Sequence, residues 1–170
     1  WEQEFPQIFA NGGFDVVIGN PPYVQSFSLN EITKQYIYSN YSTTEYQINL
    51  YSTFLEKSFK ILKENSVYAL IIPNNWLSSK YDSLLRNLVF LKNDCIEVLN
   101  VFNVFEEASV DTIILIGRKT SIPVFPKETL VYSINKNLKN ILERLEAIAG
   151  KDWYYQKAFT FSNSDNDVKI

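Results

Sequence analysis

At 170 residues with 46% apolar side chains, 12 Phe and 11 Tyr, the chain is long enough for one well-cored domain and not obviously two. Its net charge of −3 lacks the broad positive footprint of a complete nucleic-acid-binding domain. One cysteine and no histidine exclude an internal disulfide, a cysteine-rich zinc site, a His-ligated metal and a His-based triad.

The first residue is Trp1 and no methionine occurs, which reads as an internal fragment or a processed chain with essential parts elsewhere. No signal peptide and no run of about 18 apolar residues is present, so a soluble intracellular setting, the cytoplasm, is expected. Residues 1–13 mix aromatics with Asn11-Gly12-Gly13 and read as a loop feeding a strand. Phe14-Asp15-Val16-Val17-Ile18-Gly19 is short, β-branched and nearly all apolar, which suits a strand covered on both faces. Asp15 fits either a buried polar anchor or a strand-start residue.

Asn20-Pro21-Pro22-Tyr23 follows directly. The prolines fix φ near −65° and bias the residue before them towards extended geometry, so this loop is stiff before any ligand arrives. It presents the Asn20 carboxamide oxygen, the Pro21 carbonyl and the Tyr23 ring. Two acceptors and a stacking face suit a planar group bearing an exocyclic amine, such as adenine. A turn that merely breaks the chain after a strand is the alternative.

Residues 24–46 are polar, with a short helix expected near residues 31–38. The strongest helix signal comes next. Tyr51, Phe54, Leu55, Ser58, Phe59 and Leu62 share one face, while Lys60 and Lys63 lie where the helix dipole favours cations. Glu64-Asn65 is expected to close it, and residues 67–72 form a second buried-type strand stopped by Pro73. Ser79 reads as the N-cap of a helix over residues 80–91. Cys95, at the start of the next strand, reads as a buried small hydrophobe. Strands over 96–102 and 112–117 follow, with too few residues between them for a helical crossover, so they are expected to pair antiparallel. The first three strands, through 96–102, alternate with helices and are expected to be parallel. After Arg118, Pro123 and Pro126 mark a linker or extended edge. Leu138, Ile141, Leu142, Leu145 and Ile148 then make an amphipathic helix ending at Gly150.

Four segments in order carry a family resemblance: the Phe14 to Tyr23 stretch; Asn49-Leu50-Tyr51-Ser52-Thr53-Phe54-Leu55-Glu56-Lys57; Val67 to Leu77 with its Ile72-Pro73-Asn74; and Val104-Phe105 with Ser109-Val110-Asp111. On these the chain resembles the catalytic domain of adenine-specific, N6-amino DNA methyltransferases of the type II and type IIG restriction–modification branch. The resemblance implies an α/β fold: the C-terminal half of a Rossmann-like S-adenosylmethionine-dependent methyltransferase sheet, three parallel strands plus a final antiparallel one, with flanking helices. Residues 1–118 would be that half-domain, and residues 119–170 a linker and helix leading towards a missing target-recognition domain that binds double-stranded DNA. The usual aromatic-x-Gly-x-Gly cofactor loop and the ribose-binding acidic residue have no counterpart here.

The same resemblance implies roles for single residues. Asn20 and Pro21 would accept from the adenine amine, Tyr23 would stack on the flipped base, and Pro22 and Phe105 would line the substrate pocket. Phe54, with Asn20, would face the cofactor S-adenosylmethionine. Core packing also explains Phe54, which lies on an apolar stripe, and simple packing is the alternative for Tyr23 and Phe105. Glu106, Glu107 and Asp111 read as a solvated loop and strand start before they read as an acid–base pair. Two rival readings stand beside this: a protein-glutamine methyltransferase, which also uses Asn-Pro-Pro-Tyr, and a non-catalytic truncated fragment. The isolated chain is expected to be inactive and, with one sheet edge bare, to self-associate.

Overall fold

The structure is a computed structural model that describes residues 1–44, 46–105, 110–162 and 164–165. Six strands form one sheet: β1 (Phe14–Gly19), β2 (Leu62–Pro73), β3 (Asp94–Phe102), β4 (Thr112–Arg118), β5 (Lys127–Ser133) and β6 (Tyr154–Phe161). Their spatial order is β1-β2-β4-β3-β5-β6. β1 and β2 are parallel, as are β3 and β5, while β4 runs antiparallel to both β2 and β3 and β6 antiparallel to β5. So β1, β2, β3 and β5 share one direction. β4, made almost entirely of β-branched and apolar residues, fills the middle. The expected parallel set and antiparallel last pair are present, and the fold is α/β with a mixed sheet.

Residues 119–170 differ from their expected linker-and-helix form. The helix is there, as α5 below, but 127–133 and 154–161 add two strands to the same sheet. Residues 1–13 are not all loop. Pro6–Ala10 is a short helix, α1, with proline at its first turn. It lays Phe5 and Phe9 against Phe14 at ring-centroid distances of 5.7 and 5.8 Å, with Trp1 edge-on at 5.9 Å. Gly13 has no room for a side chain: a Cβ would stand 2.4 Å from the Ile61 carbonyl oxygen, at a φ of +120°.

α2 (Glu31–Asn40) is capped by the Asn30 carboxamide, which accepts from the Thr33 N–H at 2.8 Å. α3 (Leu50–Ile61) packs Tyr51, Leu55 and Phe59 onto Leu62, Tyr68, Leu70 and Ile72 of β2. Each such aliphatic or aromatic side chain contributes about 1.5–3 kcal/mol on full burial. α3 stops at Ile61 and Leu62 is already strand, so Glu64-Asn65 lies inside β2 and does not close the helix. There the register slips: Phe14 pairs with Leu62 but Val16 with Val67. The bulge carries Lys63 to Asp15, 2.8 Å away, and that ion pair is an exposed tie, not a buried anchor.

The expected helix over 80–91 begins instead at Ser83, with Asp82 at the cap position, as α4 (Ser83–Arg86) widening into a π-helical stretch Asn87–Lys92. The cause is Arg86. Its guanidinium is fully buried and donates to the carbonyls of Trp76 and Ser79, holding the preceding turn off the helix axis. The Ser79 hydroxyl accepts from Tyr81 N–H at 3.2 Å and caps only that turn. α5 (Ile141–Ala149) is capped by Asn140 and covers Leu99, Val101 and Ile134 through Ala147. Cys95 is buried, and burial pushes its thiol up to about 12, consistent with its reading as a small hydrophobe. Among the described residues no helix is long and apolar enough to cross a membrane.

One buried carboxylate shapes the approach to α3. Glu56 accepts from the backbone N–H groups of Ser42 and Thr43 at 2.9 and 3.0 Å and pairs with Lys60 at 2.8 Å. Burial raises its pKa, but the hydrogen bonds from Lys60 and Thr43 outweigh that and hold it below the usual 4.5. A depressed folded-state value stabilises fully above the unfolded one and is lost as pH falls through the folded one. Protease sensitivity of the segment between α2 and α3 is therefore expected to rise below about pH 4.5 in the native chain, and Glu56→Gln to flatten that acid dependence. An unchanged profile in the variant would remove Glu56 as the clasp.

Candidate functional site

Because four strands run the same way, their carboxyl ends line one edge of the sheet, where open α/β sheets bind ligands. Asn20 to Tyr23 leave β1 there, Asn74 leaves β2, and Asn103 to Phe105 leave β3. Hydrogen bonds fix these loops to one another. Leu50 N–H donates to Val24 C=O at 2.9 Å, Asn74 N–H to Asp111 C=O at 3.1 Å, and the Thr112 hydroxyl to Phe102 C=O at 2.6 Å. The Asn103 carboxamide accepts from Phe105 N–H at 3.1 Å, a local turn that sets the Phe105 ring.

Tyr23 is half-buried, and its hydroxyl donates to the Ile71 carbonyl at 3.1 Å across the loop. Burial raises its phenol to about 12, so at neutral pH it is a donor and a ring, not a base. Phe105 meets it edge-to-face, centroids 6.1 Å apart at 75°. The structure thus brings together two residues 82 positions apart in the sequence.

Asn20 and Pro21 line a groove of about 380 Å³. Its walls are Val16, Ile18 and Leu70 of the sheet and Phe54, Lys57 and Ser58 of α3, with Trp1 at the rim. Phe54 is 49% exposed, so it is a groove wall and not only core. Val16 and Ile18 are 52% and 77% exposed, which corrects the expectation of a strand covered on both faces: β1 is the sheet edge and its groove side is open. Pro21 is buried and Pro22 exposed. Among the described residues the Asn20 side chain and the Pro21 carbonyl have no hydrogen-bond partner, leaving two acceptors free at the head of a stiff loop.

The Asn-Pro-Pro-Tyr loop therefore borders both the groove, through Asn20 and Pro21, and the Tyr23–Phe105 ring pair. An aromatic ring and aliphatic walls beside a free carboxamide fit the adenosyl part of a nucleoside cofactor, and no cation is needed to explain the donor set. Sequence reading missed Trp1, Lys57 and Ser58 in this groove. The last two stand one helical turn from Phe54 and were recoverable from that spacing. Glu106, Glu107 and Ser109 lie outside the described residues, and Val110 and Asp111 are exposed. Among the described residues no group of three or more His, Cys, Asp or Glu could hold a metal ion.

Residues 1–106 match the family model described as Eco57I restriction-modification methylase. RM.MjaORFECS2P of Methanocaldococcus jannaschii, assigned as a type II restriction enzyme and methyltransferase, is 35% identical over 83% of this chain. The type II methyltransferase M.TthHB8I of Thermus thermophilus is 30% identical over 62% of it. The matches cover 12% and 26% of those two relatives, so the chain spans a minor part of their length. Among solved structures, the DrdV–DNA complex superposes with a TM-score of 0.70 at 17% identity, covering 99% of this chain and 19% of that one. The type IIG restriction endonuclease BpuSI gives 0.56 at 21% identity, covering 93% and 18%. These structural likenesses show the Rossmann-like methyltransferase fold.

Proposed function

Since this chain belongs to the Eco57I restriction-modification methylase family, we propose that the protein carrying it methylates the exocyclic amine of adenines in DNA at specific sites. The observation that carries this reading is the pair of free acceptors, Asn20 Oδ1 and the Pro21 carbonyl, in the same four-residue loop as Tyr23, whose ring meets Phe105. The target adenine is taken out of the duplex and stacks on Tyr23, with Phe105 and Pro22 bounding the pocket. Asn20 and Pro21 each accept one amine hydrogen. That holds the nitrogen lone pair towards the methyl group and stabilises the positive charge that develops as the new N–C bond forms. No strong base is required, because the proton leaves to solvent after the charge has developed. Phe54 and the walls beside it would hold S-adenosylmethionine, which supplies an electrophilic methyl group on sulfur and leaves as the thioether.

Residues 119–170, although two of their stretches join the sheet, lead in this reading towards a separate sequence-reading domain, as expected of a restriction–modification enzyme in a prokaryotic cytoplasm. The bare edge of β1 is where the cofactor-loop half of the complete sheet pairs. Alone, the chain turns nothing over and self-associates through that edge. A monodisperse monomer at high micromolar concentration in sizing with light scattering would refute the self-association.

Transfer from radiolabelled S-adenosylmethionine to mixed-sequence duplex DNA by the complete protein tests the reading. Label recovered as N6-methyladenine supports it. Label on cytosine, or on glutamine of a protein partner, would replace the substrate, and no label on either would leave a decayed scaffold. Tyr23→Phe keeps the ring and loses the bond to Ile71, which is expected to cost about 0.5–1.5 kcal/mol of stability and less than tenfold in rate. Tyr23→Ala also loses the stacking face, worth about 1–3 kcal/mol per base, and should raise the KM for DNA. Equal kinetics for the two variants would exclude stacking on Tyr23.

A further inference from the structure

The same edge of the sheet carries a second concavity, about 720 Å³, where β3, β5 and β6 meet. Two cations line it, Lys136 just past β5 and Lys157 on β6, and no carboxylate does. Both are exposed, and among the described residues neither forms an ion pair. Lys157 rests instead over the Phe159 ring, 4.1 Å from its centroid. In a chain whose acids outnumber its bases, 19 to 16, a groove lined by cations alone stands out. Asn100, Asn135 and Gln156 supply amides, and the Tyr154 ring is 51% exposed at the rim.

We propose that this groove holds the phosphate backbone of a DNA strand flanking the target base, an assignment that rests on the DNA-methyltransferase reading above. Ammonium groups without an ion-pair partner among the described residues, with amide side chains in the same groove, suit phosphate oxygens, and an exposed tyrosine adds a ring for a sugar or an unstacked base. Position agrees. β5 lies four strand steps from β1, about 19 Å at a strand spacing near 4.8 Å. At about 3.4 Å per nucleotide along one strand that is five to six nucleotides from the adenine pocket. The Asn103 to Phe105 loop, which follows Asn100 and Phe102 on β3, joins the two places directly.

The test uses the complete protein and a fluorescein-labelled mixed-sequence duplex, with affinity measured over a series of KCl concentrations. Each lost phosphate contact lowers the slope of log K against log salt by about 0.9. Lys136→Gln/Lys157→Gln is expected to reduce the slope by about 1.8 and to weaken binding at least tenfold near 0.1 M salt. Lys92→Gln/Arg118→Gln removes the same charge at the opposite edge of the sheet and should leave the slope unchanged. All four side chains are exposed, and circular dichroism checks that both variants remain folded. Equal slopes for the two variants, with wild-type protein methylating DNA, would overturn the groove assignment and leave the function standing. Failure of the wild-type protein to methylate DNA would overturn both.

Discussion

Asn20→Ala is expected to lower the single-turnover rate of methyl transfer by about 100–1,000-fold, the range seen when one preorganised hydrogen-bond partner of a developing charge is removed. The side chain is exposed and makes no hydrogen bond among the described residues, so its loss leaves no orphaned partner and no cavity. Thermal stability should stay within about 0.5 kcal/mol of wild type, as for surface changes away from special features. The prediction is thus a split: chemistry lost, fold kept. Asn20→Asp retains an acceptor and should lose less than the alanine variant. A rate for Asn20→Ala within a few fold of wild type would remove Asn20 from the chemistry. A matching fall in stability would make it a structural residue.

The largest expected effect on folding is at Gly117, one residue from the end of β4, the strand held between β2 and β3. A Cβ there would stand 2.3 Å from the Asp94 carbonyl oxygen and 2.4 Å from the Tyr68 hydroxyl. Tyr68 is fully buried and folds its ring over the glycine, while Asp94 belongs to the neighbouring strand, so neither can retreat. Gly117→Val should cost about 3 kcal/mol or more, the upper end of overpacking penalties. Amide hydrogen exchange in β2, β4 and β3 of the complete protein reads this directly, as loss of protection in all three strands together. Gly150→Ala is the control. Its Cβ would meet only the Glu146 carbonyl, at 3.1 Å, at the end of an exposed helix. Normal protection in Gly117→Val would mean that the sheet can shift to admit a side chain.

Much of this was legible because its signals are local. The Phe14 to Gly19 run, the stripe on α3 and the short link between β3 and β4 fix their own conformations, and the Asn20 to Tyr23 loop is rigid by covalent geometry. The two extra strands were not legible. In β5, Lys127 and Thr129 are buried because their polar ends reach carbonyls of Leu91, Asn93 and Cys95, so the apolar alternation that marks a half-buried strand is hidden. The start of α4 was misplaced because Arg86, seven residues on, captures the Ser79 carbonyl, and no local propensity encodes that. At the site, the approach of Tyr23 to Phe105 followed from family resemblance and not from pattern. The groove at Phe54 depended on which strand was left at the edge of the sheet.

The placing of β4 also bears on how the chain comes off the ribosome. β2 and β3 are neighbours in sequence order yet do not pair; the strand that joins them is synthesised after both. Until β4 has emerged, β1 and β2 can pair but β3 has neither of its partner strands, β4 and β5. The stretch matched by the family, residues 1–106, ends short of that strand. A boundary drawn by similarity would leave out the strand that joins β2 to β3, so the segment that defines the family is shorter than the sheet it belongs to.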